Sequence, residues 1–367
     1  MYGYEMSHSS NYNAVDRALH HFAFCSPIIQ RTLSDLENDL FKKELNAVES
    51  RDEVFITGLP RAGTTLMLEL LFATGEFQTF RYSDMPFILS PLLWNKLSRS
   101  FRKAGKKQQR AHGDGMEISV ESPEAFDEVV WLTYLAKTII SKDSLSPLTA
   151  SDIDDESFDA IRNSVRKVLA LSRQTGPDSQ QLRYLSKNNA NISRIDALLR
   201  LFPTSRILVI FRNPLAHTSS LARQHKRFLS EHNSDPFSKK YMKWIGHFEF
   251  GGNFRPINFG GWLDKSESPP NVDDTFWLRY WIAAYTYALD HKTDQVHFMD
   301  FDRLLEDGES SLRLVGGSLA LKDEAELVNA GKRLRSPTTK PVELVRCPPD
   351  VWKRAKDIHD QLKSIAI

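Results

Sequence analysis

The chain has 367 residues, a net charge of +1, and a composition that is 41% hydrophobic and 26% charged. That length suits one large α/β domain or two modest ones, and the near-zero charge supplies no global field for nucleic acid or an anionic membrane. Only two cysteines, Cys25 and Cys347, no apolar run of about 18 residues and no leader-like start at Met1-Tyr2-Gly3-Tyr4-Glu5 predict a soluble cytoplasmic protein without stable membrane insertion.

Apolar residues at three- to four-residue steps predict helices over 13–48. The apolar run Val54-Phe55-Ile56-Thr57 reads as a strand, and a helix follows to about Phe72. Phe77 to Tyr82 reads as a second strand, and 86–98 returns to helical spacing. Ser122-Pro123-Glu124 has the form of an N-cap with proline at the first helical position, opening a helix through Val129, Val130, Leu132 and Leu135. Phe158, Ile161, Val165, Val168 and Leu169 mark another amphipathic helix.

Three more strands are expected at Leu182–Ser186, Arg206–Phe211 and Val296–Met299. The second is a continuous apolar run of the kind found in buried parallel strands. Helices separate them at Ile192 to Phe202, Leu215 to Leu229 and Phe276 to His291. This alternation predicts a three-layer α/β/α fold around a mostly parallel sheet. Residues 230–272, rich in Gly, Asn, Ser and Pro, read as a long functional loop. The expected organisation is a single domain over 1–367, with N-terminal helices at 13–48, a ligand-binding core at 50–310 and a C-terminal helical or loop segment at 311–367.

Gly58-Leu59-Pro60-Arg61-Ala62-Gly63-Thr64-Thr65-Leu66 follows the first strand and opens a helix. This is the layout of a P-loop, which holds a phosphate-like anion with backbone N–H groups and the positive end of a helix dipole. The lysine that grips β- and γ-phosphates in nucleoside triphosphatases is replaced by Thr64, and Arg61 supplies a cation inside the loop. A second motif, Arg212-Asn213-Pro214 with Ser220 eight residues after the arginine, follows the strongest strand. Arg212 thus stands at a strand's carboxyl end, where open α/β sheets bind ligands. Two such positions imply a ligand with two separated acidic groups.

With these motifs the chain resembles the sulfotransferases that use 3′-phosphoadenosine 5′-phosphosulfate (PAPS), most of all their broad bacterial and Golgi-type branch. The match runs through Pro60, Arg61, Gly63, Thr64 and Thr65, then Arg212, Pro214 and Ser220, and spans about residues 50–310. Lys187-Asn188-Asn189-Ala190-Asn191, with Leu198, Phe202-Pro203 and Arg206, is similar to the family's Lys-x-Pro-x-His approach but departs at Asn189 and Asn191. Met299-Asp300-Phe301-Asp302-Arg303-Leu304-Leu305 is similar to its late strand end. The resemblance implies a P-loop-like sulfotransferase fold and transfer from PAPS, with adenosine 3′,5′-bisphosphate as product and no metal required. The acceptor is a hydroxyl or amine, with a glycan or other anionic molecule among the candidates.

Arg61, Ala62, Gly63, Thr64, Thr65 and Leu66 are then expected at the 5′-phosphosulfate, and Arg212 and Ser220 at the 3′-phosphate. Arg61 would meet charge developing on the bridging oxygen. For the general base the resemblance points to a carboxylate about twenty residues beyond the loop arginine. Asp84 is the nearest, although an Asp before Pro86 also suits a helix cap. His112 and Glu121 are further candidates. Glu124 suits a helix start.

The basic clusters Arg99–Arg110 and Lys332–Lys340 read either as lips for an anionic acceptor or cofactor or as solvated loops. Trp277, Tyr280, Trp281 and Tyr285 have core-like spacing. Two other readings stand beside transfer: a P-loop kinase or NTPase, and a non-catalytic adenosine-bisphosphate-binding relative.

Overall fold

The computed structural model describes residues 14–98, 108–109, 117–118, 123–124, 126–173, 182–263, 272–332 and 347–367. Three helices come first, α1 (Ala14–Phe24), α2 (Pro27–Leu40) and α3 (Lys42–Asn46). Strand β1 (Val54–Thr57) leads through the glycine loop into α4 (Thr64–Ala73), and β2 (Phe77–Gln78) and α5 (Pro91–Ser98) follow. A two-residue antiparallel pair, β3 (Gln108–Gln109) and β4 (Glu117–Ile118), stands apart from the main sheet. Next come α6 (Glu128–Ile139), α7 (Asp155–Arg173), β5 (Arg183–Lys187), α8 (Ile195–Leu201) and β6 (Arg206–Phe211). Helices α9 (Pro214–Ser234), α10 (Pro236–Trp244) and α11 (Asp274–Asp290) precede β7 (Val296–Asp300). The chain closes with α12 (Phe301–Glu306), α13 (Gly308–Ser318), α14 (Glu324–Gly331) and α15 (Pro349–Ile365).

The central sheet has the order β2-β5-β1-β6-β7, and every pair in it is parallel. Alternating side chains of a strand point to opposite faces, and here both faces are dry. Phe55, Ile207, Val209, Phe211 and Phe298 join one core with Val168, Leu198, Trp277, Trp281 and Leu362. Val54, Ile56, Leu208, Ile210 and Met299 join the other with Leu68, Leu71, Val315 and Leu327. This is the expected three-layer arrangement. Burying each such side chain contributes about 1.5–3 kcal/mol. The C-terminus adds to it: the Ile367 N–H donates to the Phe298 carbonyl (2.9 Å) beside β7.

Inside the helical layer Lys167 of α7 is 1% exposed. Its Nζ donates to the Ser34 carbonyl (3.0 Å), Ser34 Oγ (2.7 Å) and the Leu89 carbonyl (2.9 Å), and lies 3.7 Å from Glu37 Oε1. Burial pushes Glu37 up and Lys167 down in pKa, against their mutual attraction. The N-terminal helices are thereby pinned to the α/β core.

Four expectations change. Pro123 bridges to Arg81 and the Glu124 N–H donates to the Phe80 carbonyl (3.1 Å), so that segment pairs with a neighbour and α6 starts only at Glu128. The strand expected through Tyr82 stops at Gln78, and a 3-10 turn, Tyr82–Asp84, follows. Helix α5 begins at Pro91, after a turn in which the Ser90 N–H donates to Phe87, rather than at 86. The described part of 230–272, through residue 263, is not an open loop: α9 runs to Ser234, α10 follows, and Phe248, Phe250 and Phe259 are core residues. Its aromatic anchors are irregularly spaced, so no helical or strand period reveals them. No described helix is long and apolar enough to cross a membrane.

Candidate functional site

All five parallel strands end on one side of the sheet, and the glycine loop lies there between β1 and α4. Gly58 has φ +143°, and a Cβ on it would sit 2.3 Å from the Ile210 carbonyl oxygen, so only glycine fits. That same carbonyl accepts the Tyr285 hydroxyl (2.8 Å). Arg61 has φ +72°, an uncommon conformation for a residue with a side chain. Gly63 is the N-cap of α4, with φ +100° and no side chain to cap the helix. A Cβ there would meet the Phe301 ring at 2.2 Å. The opening turn of α4 therefore presents the backbone donors that suit an anion.

Arg212 follows β6 directly. Its Nη1 donates to the Arg61 carbonyl (3.4 Å), and its guanidinium lies 5.1 Å from the Phe301 ring centroid. Its Nε is buried without a hydrogen bond among the described residues, 3.6 Å from Asp302 Oδ1. Asp302 also accepts from the Asn213 N–H (2.6 Å), and Asn213 caps α9 through the Leu215 and Ala216 amides. Ser220 is half-buried two turns along α9. His217 on α9 is fully buried, with Nε2 2.8 Å from the Pro60 carbonyl. Burial, with smaller contributions from Arg212 and Arg61, outweighs the Pro60 contact and lowers its pKa to about 3, so the neutral ring donates to Pro60. The two motifs, some 150 residues apart, are thus joined by two direct contacts.

On the other side of the loop the β5 end is held by a polar network. Thr57 Oγ1 donates to the Asn188 carbonyl (2.9 Å). Glu128 takes Arg194 through both oxygens (2.7 and 2.8 Å) and Asn188 Nδ2 (2.7 Å). Asp127 accepts the Ser186 hydroxyl (2.7 Å), and burial raises its pKa to about 6. Thr64 is 3% exposed and donates its hydroxyl to Asn189 Oδ1 (3.0 Å), so that hydroxyl turns inward. Asn189 Nδ2 in turn donates to Glu249 Oε1 (2.5 Å), and His247 Nε2 lies 3.0 Å from Glu249 Oε2.

Asp84 closes the 3-10 turn Tyr82–Asp84 beyond β2, is 2% exposed, and its Oδ2 accepts the Arg81 N–H (2.8 Å). That role replaces the helix cap expected at Pro86. Glu124 accepts the Tyr82 hydroxyl (2.7 Å). His112 and Glu121 lie outside the described residues, as do the basic residues at 99, 102, 103, 106, 107, 110, 333, 335 and 340. Lys332 is described, and its Nζ donates to Asn329 Oδ1 (3.0 Å). Trp277, Tyr280, Trp281 and Tyr285 are buried in the core. Sequence reasoning misses Glu249 and His247, assigns no ligand contact to His217, and gives no role to Phe301, Asp302 or Asn189. The one local signal was the paired glycines around 246–252.

A family model described as "Sulfotransferase family" matches residues 53–249. The chain belongs to the sulfotransferase family. A protein of Aquifex aeolicus (strain VF5) described as uncharacterized is 21% identical over 221 residues, 60% of this chain. The match spans only 23% of that relative's length. Among solved structures, sulfotransferase STF9 from Mycobacterium avium superposes with a TM-score of 0.54 at 12% identity, covering 98% of this chain and 88% of that one. At that identity it speaks for the fold. STF1 from Mycobacterium tuberculosis H37Rv has a TM-score of 0.46 at 15% identity, covering 92% and 84%.

Proposed function

We propose that this sulfotransferase moves a sulfuryl group from PAPS to a hydroxyl or amine, leaving adenosine 3′,5′-bisphosphate. The carrying observation is the pairing of two anion cradles: the uncapped start of α4 and the buried Nε of Arg212, linked through the Arg61 carbonyl. PAPS, when bound, supplies an activated sulfuryl group on a phosphate leaving group. Residues Arg61 to Leu66 hold the 5′-phosphate end, and Arg61 faces the charge that develops as the bridging bond loosens. Arg212 and Ser220 hold the 3′-phosphate. A carboxylate then receives the acceptor's proton.

An anionic acceptor, such as an acidic glycan, is supported by a cavity of about 510 Å³ whose lining sets Lys142, Lys239, Lys240, Lys243 and Arg255 against the single carboxylate of Asp143. None of these five cations forms an ion pair among the described residues. The free thiols Cys25 and Cys347 suit a reducing cytoplasm.

Calorimetric titration with adenosine 3′,5′-bisphosphate and with Mg-ATP, followed by a labelled-sulfate transfer screen, tests this reading. We expect bisphosphate binding and transfer to at least one phenol, lipid or glycan. Tight Mg-ATP binding without bisphosphate binding would mark a kinase or NTPase instead. Bisphosphate binding without transfer would mark a non-catalytic relative.

A further inference from the structure

We infer that Glu249, carried on the turn between α10 and the segment entering α11, is the carboxylate that orients the acceptor and takes its proton. This rests on the sulfuryl-transfer reading above. The first support is connection. Thr64, the first residue of the loop helix, donates to Asn189 Oδ1, and Asn189 Nδ2 donates to Glu249 Oε1. One side chain therefore separates Glu249 from the residue that opens the anion cradle. The second is exposure: Glu249 keeps 26% of its side chain accessible, whereas Asp84 is 2% exposed overall.

The third support is how firmly the turn is built. Gly246 (φ +77°) and Gly251 (φ +71°) bracket it, and a Cβ on Gly246 would strike Glu128 Cγ at 2.3 Å. The Gly251 and Gly252 amides donate to Nδ1 of His225 (3.2 Å) and His232 (3.0 Å) on α9. Both imidazoles must be neutral to accept, and burial lowers the pKa of each. Burial alone would raise Glu249, but His247, Lys187 and the Asn189 hydrogen bond overcome it and bring its pKa to about 2. The group is ionised throughout the neutral range.

So weak a base fits the chemistry. In a loose transition state the acceptor proton leaves late, so a carboxylate serves mainly to aim the hydroxyl, as the catalytic-loop Asp of protein kinases does. In the step the sulfur–bridging-oxygen bond breaks, with its electron pair staying on the departing 5′-phosphate. A sulfur–oxygen bond forms to the acceptor, whose proton passes to Glu249 and then to solvent.

The test uses the full chain, PAPS labelled in the sulfuryl group, and as acceptors water plus a panel of phenols, alkyl alcohols and hexosides. Glu249→Gln should lower transfer about 10²-fold or more, the usual worth of a positioned base. Bisphosphate affinity by calorimetry should stay within about threefold and thermal unfolding within a few degrees. Glu249→Asp should recover part of the rate, and Asp84→Asn should leave most of it. Normal transfer by Glu249→Gln, or loss by Asp84→Asn alone, overturns the inference and leaves sulfuryl transfer standing. Loss of bisphosphate affinity together with rate in Glu249→Gln overturns it too, because it marks Glu249 as structural. Failure of the parent protein to bind bisphosphate or release labelled sulfate defeats the transfer reading itself.

Discussion

Around the glycine loop, the groups proposed to meet an anion are backbone amides and residues placed directly at strand ends, and the backbone is held there by glycines that admit no side chain. Around Glu249, the polar groups are side chains delivered by a turn far along the chain and steadied by neutral histidines. The first region is fixed by main-chain geometry, so it tolerates little change in shape. The second is fixed by hydrogen bonds whose strength depends on protonation, so it tolerates changes of shape better than changes of charge.

Placing a methyl group in the first region should have the largest effect. Gly63→Ala is expected to cut bisphosphate affinity about 10²-fold or more, because left-handed strain alone costs on the order of 1–3 kcal/mol and the Phe301 ring must also move. Adding Phe301→Leu should restore part of it, measured as a coupling in a double-mutant cycle by calorimetry. Equal losses in both backgrounds would mean the ring does not shape the loop. Arg212→Ala should weaken the same affinity about 10- to 100-fold, the loss of a charged hydrogen bond worth about 1.5–3 kcal/mol. An unchanged Kd would place the second acidic group elsewhere.

The second region should show itself in acid. His225 falls from an ordinary 6.5 to about 4 in the folded protein. A histidine depressed on folding stabilises fully above pH 6.5 and loses that contribution as pH falls toward its folded value. By pH 5 it costs about 2 kcal/mol. The melting temperature should drop between pH 7.5 and 5, and His225→Gln should flatten that drop; an equally steep drop in the variant would clear His225 of the role. The smallest effect expected is Ser220→Ala, a loss of about tenfold or less in bisphosphate affinity for one neutral hydrogen bond.

Legibility in the sequence followed the same division. Strands Val54–Thr57 and Arg206–Phe211 declare themselves because both sheet faces are dry and the runs are unbroken. The loop and Arg212 declare themselves because strand-end chemistry is local: glycine, arginine and an Asn-Pro helix start lie within a few residues. Asn189, His247 and Glu249 stay hidden because their meaning arises only when β5 and a turn 60 residues later come together. His217 is similar. Its partner, the Pro60 carbonyl, lies 157 positions away, so no spacing rule finds it. The helix start assigned to Ser122-Pro123-Glu124 has a sound local pattern, but Phe80 and Arg81 claim that backbone for pairing.

The contact between Phe301 and Gly63 has one more consequence. The ring occupies the space a side chain would take on the loop, and Arg212 lies against the same ring while bonding the Arg61 carbonyl. If both sites bind anions as proposed, the shared ring and carbonyl tie them together like the jaws of a caliper, and the spacing of a ligand's acidic groups is expected to decide its fit. Adenosine 5′-phosphate would fill one jaw, and only a bisphosphate of the right span would fill both.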